Sequence, residues 1–147
     1  MVWQNKRVHD TNTTIERQVF GIKNFIMKKK KTLVIGASTN KERYSYLAVQ
    51  KLNAHQQPVV ALGLQTGIIG NTIIETEKKP FEDIDTITLY INSLRQKEYY
   101  DYIFSLHPKR IIFNPGAEND ELAGLAKEKG IHPQEACTLV LLATGQY

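Results

Sequence analysis

Short apolar runs, each stopping at a glycine or small residue and separated by helix-period segments, constrain this chain more than any other feature. Leu33-Val34-Ile35 ends at Gly36, and Val59-Val60-Ala61-Leu62, behind Pro58, ends at Gly63. Thr86 to Ile91 is a third run, Arg110 to Phe113 a fourth ending at Asn114-Pro115-Gly116, and a short strand is expected near Ile131. Runs of this kind suit strands buried on both faces. Between them, Tyr44 to Asn53 carries Leu47, Ala48 and Leu52 at helical spacing. Ser93 followed by Gln96 reads as a capping box for a helix from Leu94 to Leu106, closed by Pro108. Asn119 to Lys129 is the clearest helix, with Asp120 and Glu121 at its start, Lys127 and Lys129 in its last turn, and Gly130 beyond. A C-terminal apolar run, Leu139 to Leu142, follows. Strands alternating with helices imply a mostly parallel sheet, with right-handed crossovers and helices on both faces.

The chain has 147 residues, the size of one domain. Hydrophobic residues at 41% and charged residues at 23% permit a packed core. The net charge of +4 suits a phosphate-bearing ligand and is too small to argue for nucleic acid. The basic excess is concentrated in Lys28 to Lys31. A lone cysteine, Cys137, excludes an intramolecular disulfide and fits a cytoplasmic protein. No apolar stretch reaches the roughly 18 residues of a membrane span. Residues 27–147, opening Met-Lys-Lys-Lys-Lys-Thr-Leu-Val-Ile-Gly, read as the domain, and residues 1–26 as an extension outside it. The alternative for that extension is a short helix bearing Ile15, Val19, Ile22 and Ile26, interrupted by Gly21.

Numbered along the chain, the five strands are expected in the order 3-2-1-4-5. Ligands of such sheets bind outside the carboxyl ends of the strands where the order reverses. That places Gly36-Ala37-Ser38-Thr39 and Asn114-Pro115-Gly116-Ala117 at one crevice. The first turn suits a phosphate: Gly36 permits a sharp turn, small side chains expose backbone N–H groups, and a helix N-terminus follows. Ser38, Thr39 and Asn40 add donors, and Lys41 and Arg43 can pair with phosphate oxygens. A tight turn with capping residues and solvated charges is the alternative. The full G-x-G-x-x-G fingerprint and the G-x-x-x-x-G-K-[ST] motif are both missing. No acid stands at the end of the second strand to hold ribose hydroxyls, where the sequence reads Ala61-Leu62-Gly63-Leu64.

The strand followed by Gly36-Ala37-Ser38, with Lys41, Arg43 and Ser45 opening the next helix, resembles the small stand-alone CoA-binding proteins. These are similar to the CoA-binding N-terminal domain of the succinyl-CoA synthetase alpha subunit. The likeness runs through Ile69-Gly70-Asn71, Phe81-Glu82-Asp83-Ile84-Asp85 and Phe113-Asn114-Pro115-Gly116-Ala117 to Gly130-Ile131 and Cys137, covering about Lys31 to Leu142. It implies a Rossmann-like three-layer α/β/α domain, mostly parallel and five-stranded. It also implies that Gly36 to Thr39 with Lys41 contact a pyrophosphate. Ala61, Leu62 and Gly63 would pack on the adenine and ribose end. Tyr90, Ile91 and Asn92 would form the wall beside the adenosine or the start of the pantetheine, and Asn114, Pro115 and Gly116 the far lip. The chain departs from the family in two places. Leu62-Gly63-Leu64-Gln65 replaces a Val-x-Pro segment, and Pro115 occupies the glutamine position of an aromatic-x-Gln-x-Gly pattern.

Catalytic groups do not assemble in the sequence. His9, His55, His107 and His132 show no metal-ligand spacing with another His or Cys. His132 with Cys137 would make a nucleophilic pair only if the fold joined them, and the matching cysteine of the family is a small buried residue. Glu82, Asp83 and Asp85 precede a strand, at the end opposite the crevice. Tyr99, Tyr100 and Tyr102 divide between core and rim. The phosphohistidine domain of the synthetase is absent, so its activity does not carry over. The expected function is non-catalytic binding of coenzyme A or acyl-CoA. The partner is then a small molecule, with no nucleic acid and no membrane, and a homodimer is compatible. Two alternatives stand beside it: a protein that binds NAD(P) or another adenine nucleotide, and a protein-interaction scaffold with a vestigial cleft.

Overall fold

A computed structural model describes residues 14–19 and 29–147. Residues 14–19 form a helix, α1, with Ile15 and Val19 exposed. The rest of the 1–26 extension lies outside the described residues. The domain then runs β1 (Thr32–Ala37), α2 (Tyr44–Ala54), β2 (Val59–Gly63), β3 (Gly67–Ile69), β4 (Thr72–Glu75) and β5 (Thr86–Leu89). It continues with α3 (Ser93–Gln96), a 3-10 turn (Lys97–Tyr99), α4 (Tyr100–Ser105), β6 (Arg110–Phe113), α5 (Asp120–Glu128), β7 (His132–Glu135) and α6 (Thr138–Ala143).

The sheet is a three-layer Rossmann-like one, but with seven strands in the order β3-β4-β2-β1-β5-β6-β7. Every pairing is parallel except β3 with β4. This corrects the expected five-stranded order 3-2-1-4-5 in two respects. The run at Thr86, the third strand in the expected order, lies beside β1 rather than beyond β2. The place beyond β2 is taken by β4, which pairs Ala61 with Ile74 and Leu62 with Glu75. The physical reason is a hairpin hidden in Gly67-Ile68-Ile69-Gly70-Asn71-Thr72-Ile73-Ile74. Its two-residue loop opens on Gly70 at φ +61°, and Ile69 pairs with Thr72 across it. The strand order therefore reverses between β1 and β5, so the β6 turn stands one strand further out.

Alternation along the strands feeds two cores. Leu33, Ile35, Leu62, Ile87, Leu89, Ile111 and Phe113 point to one face, where Tyr99, Ile103, Leu122 and Ala126 cover them. Val34, Ala61, Ile69 and Ile74 point to the other, against Val49, Leu52 and Leu142 of α2 and α6. Ala37 joins this second core because the β1–β2 register slips between Ile35 and Ala37. One extra residue there turns Ala37 to the opposite face. Beneath the amino ends of the strands, the Tyr147 carbonyl accepts from Arg110 at 2.9 Å, and its ring stacks on the Arg110 guanidinium.

The long helix expected from Leu94 to Leu106 is broken by the 3-10 turn. Its cap also differs. The Asn92 side chain accepts from the Arg95 N–H (2.9 Å), so Asn92 rather than Ser93 is the N-cap. Gln96 does not reach back as in a capping box. It is fully buried and bonds elsewhere.

Candidate functional site

Four turns at the carboxyl ends of β1, β2, β5 and β6 enclose a cleft of about 390 Å³. The β1 turn forms its centre. Gly36 has φ +95°, and a Cβ there would stand 2.9 Å from Ile91 Cγ2 and 3.0 Å from the Tyr90 carbonyl, so only glycine fits. The loop beyond is shaped by its own side chains. Ser38 Oγ accepts from the Asn40 N–H (3.1 Å), and Asn40 Oδ1 accepts from the Glu42 N–H (3.0 Å). The hydroxyl proton of Ser38 stays available to donate.

This turn delivers the chain into α2 with an open N-terminus. Arg43 is the N-cap and makes no side-chain capping bond, and no acid occupies the first turn. By contrast, α5 is capped by Asn119 onto the Leu122 N–H (3.1 Å) and carries Asp120 and Glu121. No acid in the first turn offsets the partial positive charge at the start of α2, and Arg43, Tyr44 and Ser45 line the cleft there.

On the β2 side, Gly63, Leu64 and Gln65 line the cleft. Leu64 and Tyr44 are 72% and 70% exposed, so two apolar surfaces stand open at the mouth. Gly67 of the hairpin receives the Thr39 side chain, whose Cγ2 would lie 2.3 Å from a Cβ at that position. On the β5 side, the Tyr90 N–H donates to the Ile35 carbonyl (2.9 Å), which holds Tyr90, Ile91 and Asn92 against the β1 turn. Asn92, by capping α3, presents Arg95 to the cleft, with Tyr99 behind it. The far lip is Pro115, Gly116 and Ala117. There the Gly116 N–H is already engaged by the Glu118 carboxylate.

Among the described residues, the lining thus holds two arginines and no carboxylate, histidine or cysteine. Neither arginine forms an ion pair among the described residues. Burial raises the Tyr99 hydroxyl pKa, with Glu98 adding to the effect and Arg95 opposing it. The Tyr90 pKa is raised strongly by burial. Its hydroxyl lies beside those of Thr88 and Thr138, which bond to each other at 2.8 Å and leave it without a partner in hydrogen-bonding geometry. Among the described residues, no group of His, Cys, Asp and Glu is placed to hold a metal ion. Nor is any helix among them long and apolar enough to cross a membrane.

Of the residues singled out in the sequence, the structure brings twelve together in the lining: Gly36, Ala37, Ser38, Thr39, Arg43, Ser45, Gly63, Tyr90, Ile91, Asn92, Pro115 and Gly116. Four lie elsewhere. Ala61 and Leu62 are interior strand residues packed in the two cores. Lys41 is exposed on the turn and does not reach the lining. The Asn114 amide is spent inside, donating to Thr88 Oγ1 (2.7 Å) and the Leu89 carbonyl (2.9 Å) and accepting from the Thr138 N–H (2.9 Å). Ala117, expected at the crevice with its turn, lines it as well, and Tyr44, Leu64, Gln65, Arg95 and Tyr99 line the cleft without having been singled out for it. Arg95 was the most legible of these, three residues past an Asn cap at a strand end. Cys137 caps α6, half-buried and outside the lining.

A family profile described as a CoA binding domain matches residues 30–143. The crystal structure of an uncharacterized protein is 44% identical, with a TM-score of 0.79, covering 81% of this chain and 98% of its own. A hypothetical protein from Pyrococcus horikoshii OT3 is 20% identical with a TM-score of 0.70, covering 82% of this chain and 86% of its own. A protein from Thermus thermophilus is 15% identical, also with a TM-score of 0.70, covering 86% and 97%. The last two share the fold. No curated protein matches the chain.

Proposed function

The chain belongs to the CoA binding domain family, and from that premise we propose that its cleft binds coenzyme A or acyl-CoA without transforming it. The observation that carries this reading is the open start of α2 beside the Gly36 turn, flanked by Arg43 and Arg95 with no lining carboxylate. Such a site favours a ligand with several negative charges close together, as in a pyrophosphate. Gly36 to Thr39 and Ser45 supply its neutral donors, and Arg43 and Arg95 its counter-charges from opposite walls. Leu64 and Tyr44 offer apolar faces for an adenine ring at the β2 side. The remaining arm of the ligand then leaves along Ile91 and Pro115 to Ala117. Among the described residues, the lining sets no histidine, cysteine or carboxylate beside its Ser and Thr hydroxyls to activate them, which favours a binder over an enzyme. We place this module at residues 27–147 and in the cytoplasm.

NAD is the weaker reading, because Gly63-Leu64-Gln65 gives no acid for the ribose hydroxyls at the end of β2. Calorimetric titration of the full chain and its variants with coenzyme A tests the assignment. A guanidinium bonded to phosphate is worth about 1.5–3 kcal/mol. Arg43→Ala should therefore weaken binding about tenfold or more, whereas Lys41→Ala should change it by less than about threefold. Equal affinities for Arg43→Ala and the parent protein would reject the phosphate site at α2.

A further inference from the structure

We propose that Gln96, which is absent from the cleft surface, is a positioning residue that sets the far wall and so the preference for the pantetheine arm of the ligand. This inference rests on the coenzyme A reading. Gln96 is the last residue of α3 and is 0% exposed. Its Nε2 donates to two carbonyls, Ile91 at 2.9 Å and Ala117 at 2.7 Å. Those residues belong to different turns, and both line the cleft. The parallel β5–β6 ladder ends at the pair Leu89 and Phe113. Beyond it the two chains part. The Asn114 amide makes a first link across the gap by donating to the Leu89 carbonyl. Gln96 makes the next link, at the level of the cleft.

The bridge is itself braced. Gln96 Oε1 accepts from Asn119 Nδ2 (2.9 Å), and the same nitrogen donates to the Tyr100 hydroxyl (2.9 Å). Asn119 Oδ1 meanwhile caps α5 through the Leu122 N–H (3.1 Å). Gln96 thus uses both its donor protons and its acceptor in a buried network joining the β5 turn, the β6 turn and the start of α5. A buried amide committed in this way fixes its partners more tightly than apolar packing alone, because leaving any of them unbonded is costly. Of the phosphate-facing groups, Gly36, Ser38, Arg43 and Ser45 lie on β1, its turn and α2 and take no part in the network, while Arg95, next to Gln96 on α3, is held through its own N–H by the Asn92 side chain. The wall that Gln96 holds is therefore separable from the part of the phosphate end that β1 and α2 form.

The test compares two probes, coenzyme A and adenosine 3′-phosphate 5′-diphosphate, the latter lacking only the pantetheine arm. Binding of both is measured by calorimetry on the full chain, Gln96→Leu and Asn119→Ser. Gln96→Leu keeps the volume and removes the donors. Asn119→Ser keeps a capping oxygen and removes the brace, so it carries the measurement if Gln96→Leu does not fold. The expected result is a loss of about fivefold in coenzyme A affinity with the armless probe unchanged, and a smaller loss in the same direction for Asn119→Ser. Equal weakening of both probes would show a merely structural role and overturn the inference, as would no change in either. Failure of the parent protein to bind coenzyme A would instead defeat the ligand reading on which it rests.

Discussion

Gly63→Ala would probe how the cleft floor is built, because Gly63 is where the ends of β1 and β2 come closest. The residue pairs with Ala37 at the end of the β1–β2 ladder. A Cβ there would stand 2.3 Å from the Ala37 carbonyl oxygen and 3.0 Å from Ile74 Cγ2. Ordinary contact begins near 3.4 Å, so backbone must move by about 1 Å. The Ile74 methyl can rotate away, but the Ala37 carbonyl cannot, since β1 is pinned between β2 and β5. Gly63 does not adopt positive φ, so the cost is steric and not conformational. Overpacking of this kind costs about 1–3 kcal/mol. For a chain of this length that lowers the melting temperature by roughly 3–10 °C. The displaced atoms lead directly into Ser38 and Thr39, so coenzyme A affinity should fall about tenfold or more. Thermal melting and calorimetric titration of the variant read both effects. A melting temperature within about 1 °C of the parent, with affinity unchanged, would refute the proposed approach of the two strand ends.

Two further outcomes follow from buried tyrosines. Tyr90→Phe removes a buried hydroxyl that lies beside the Thr88 and Thr138 hydroxyls but outside good hydrogen-bonding geometry among the described residues, so chemical denaturation should show a change of less than about 1 kcal/mol. A clear loss would mean that the hydroxyl is bonded in solution. Burial raises the pKa of Tyr90 and Tyr147 and pushes that of Tyr102 up to about 12. The unfolded chain then releases these protons first, so their contribution to stability is intact below about pH 10 and is lost as pH rises toward 12. Denaturant midpoints at pH 9 and pH 11 should fall in that order, and a flat profile would contradict the burial of these rings.

The fold was legible where one residue type has one structural use. β1, β2, β5 and β6 announce themselves as β-branched runs closed by glycine, proline or asparagine. The helix from Asp120 is marked at both ends by Asn119 and Gly130. The hairpin was hidden because β3 has only three residues, one of them glycine, and its two-residue turn was read only as part of a resemblance. Without it, the strand at Thr86 is expected beyond β2 and the reversal at β6, whereas the structure has it at β5.

The centre of the cleft was visible in Gly36-Ala37-Ser38-Thr39, since a small-residue turn between a buried strand and a helix has few uses. Its walls were legible at Gly63, Tyr90 to Asn92, Pro115 and Gly116, but not at Tyr44, Leu64 and Arg95, because these depend on which turns become neighbours. Arg95 gains a place in the cleft only when β5 lies beside β1. Lys41 drew notice through adjacency in sequence, yet the turn leaves it exposed and outside the lining. Gln96 sits at the spacing of a capping box. The more favourable use, two buried carbonyls from separate turns, required the tertiary structure to become apparent.

The most direct test of the central claim is a calorimetric titration of the full chain with coenzyme A, with NAD and ADP run beside it. The account predicts saturable binding of coenzyme A, with NAD and ADP at least about tenfold weaker, a gap of about 1.4 kcal/mol. Binding of NAD at least as tight as coenzyme A, or no saturable heat with any of the three, would contradict it.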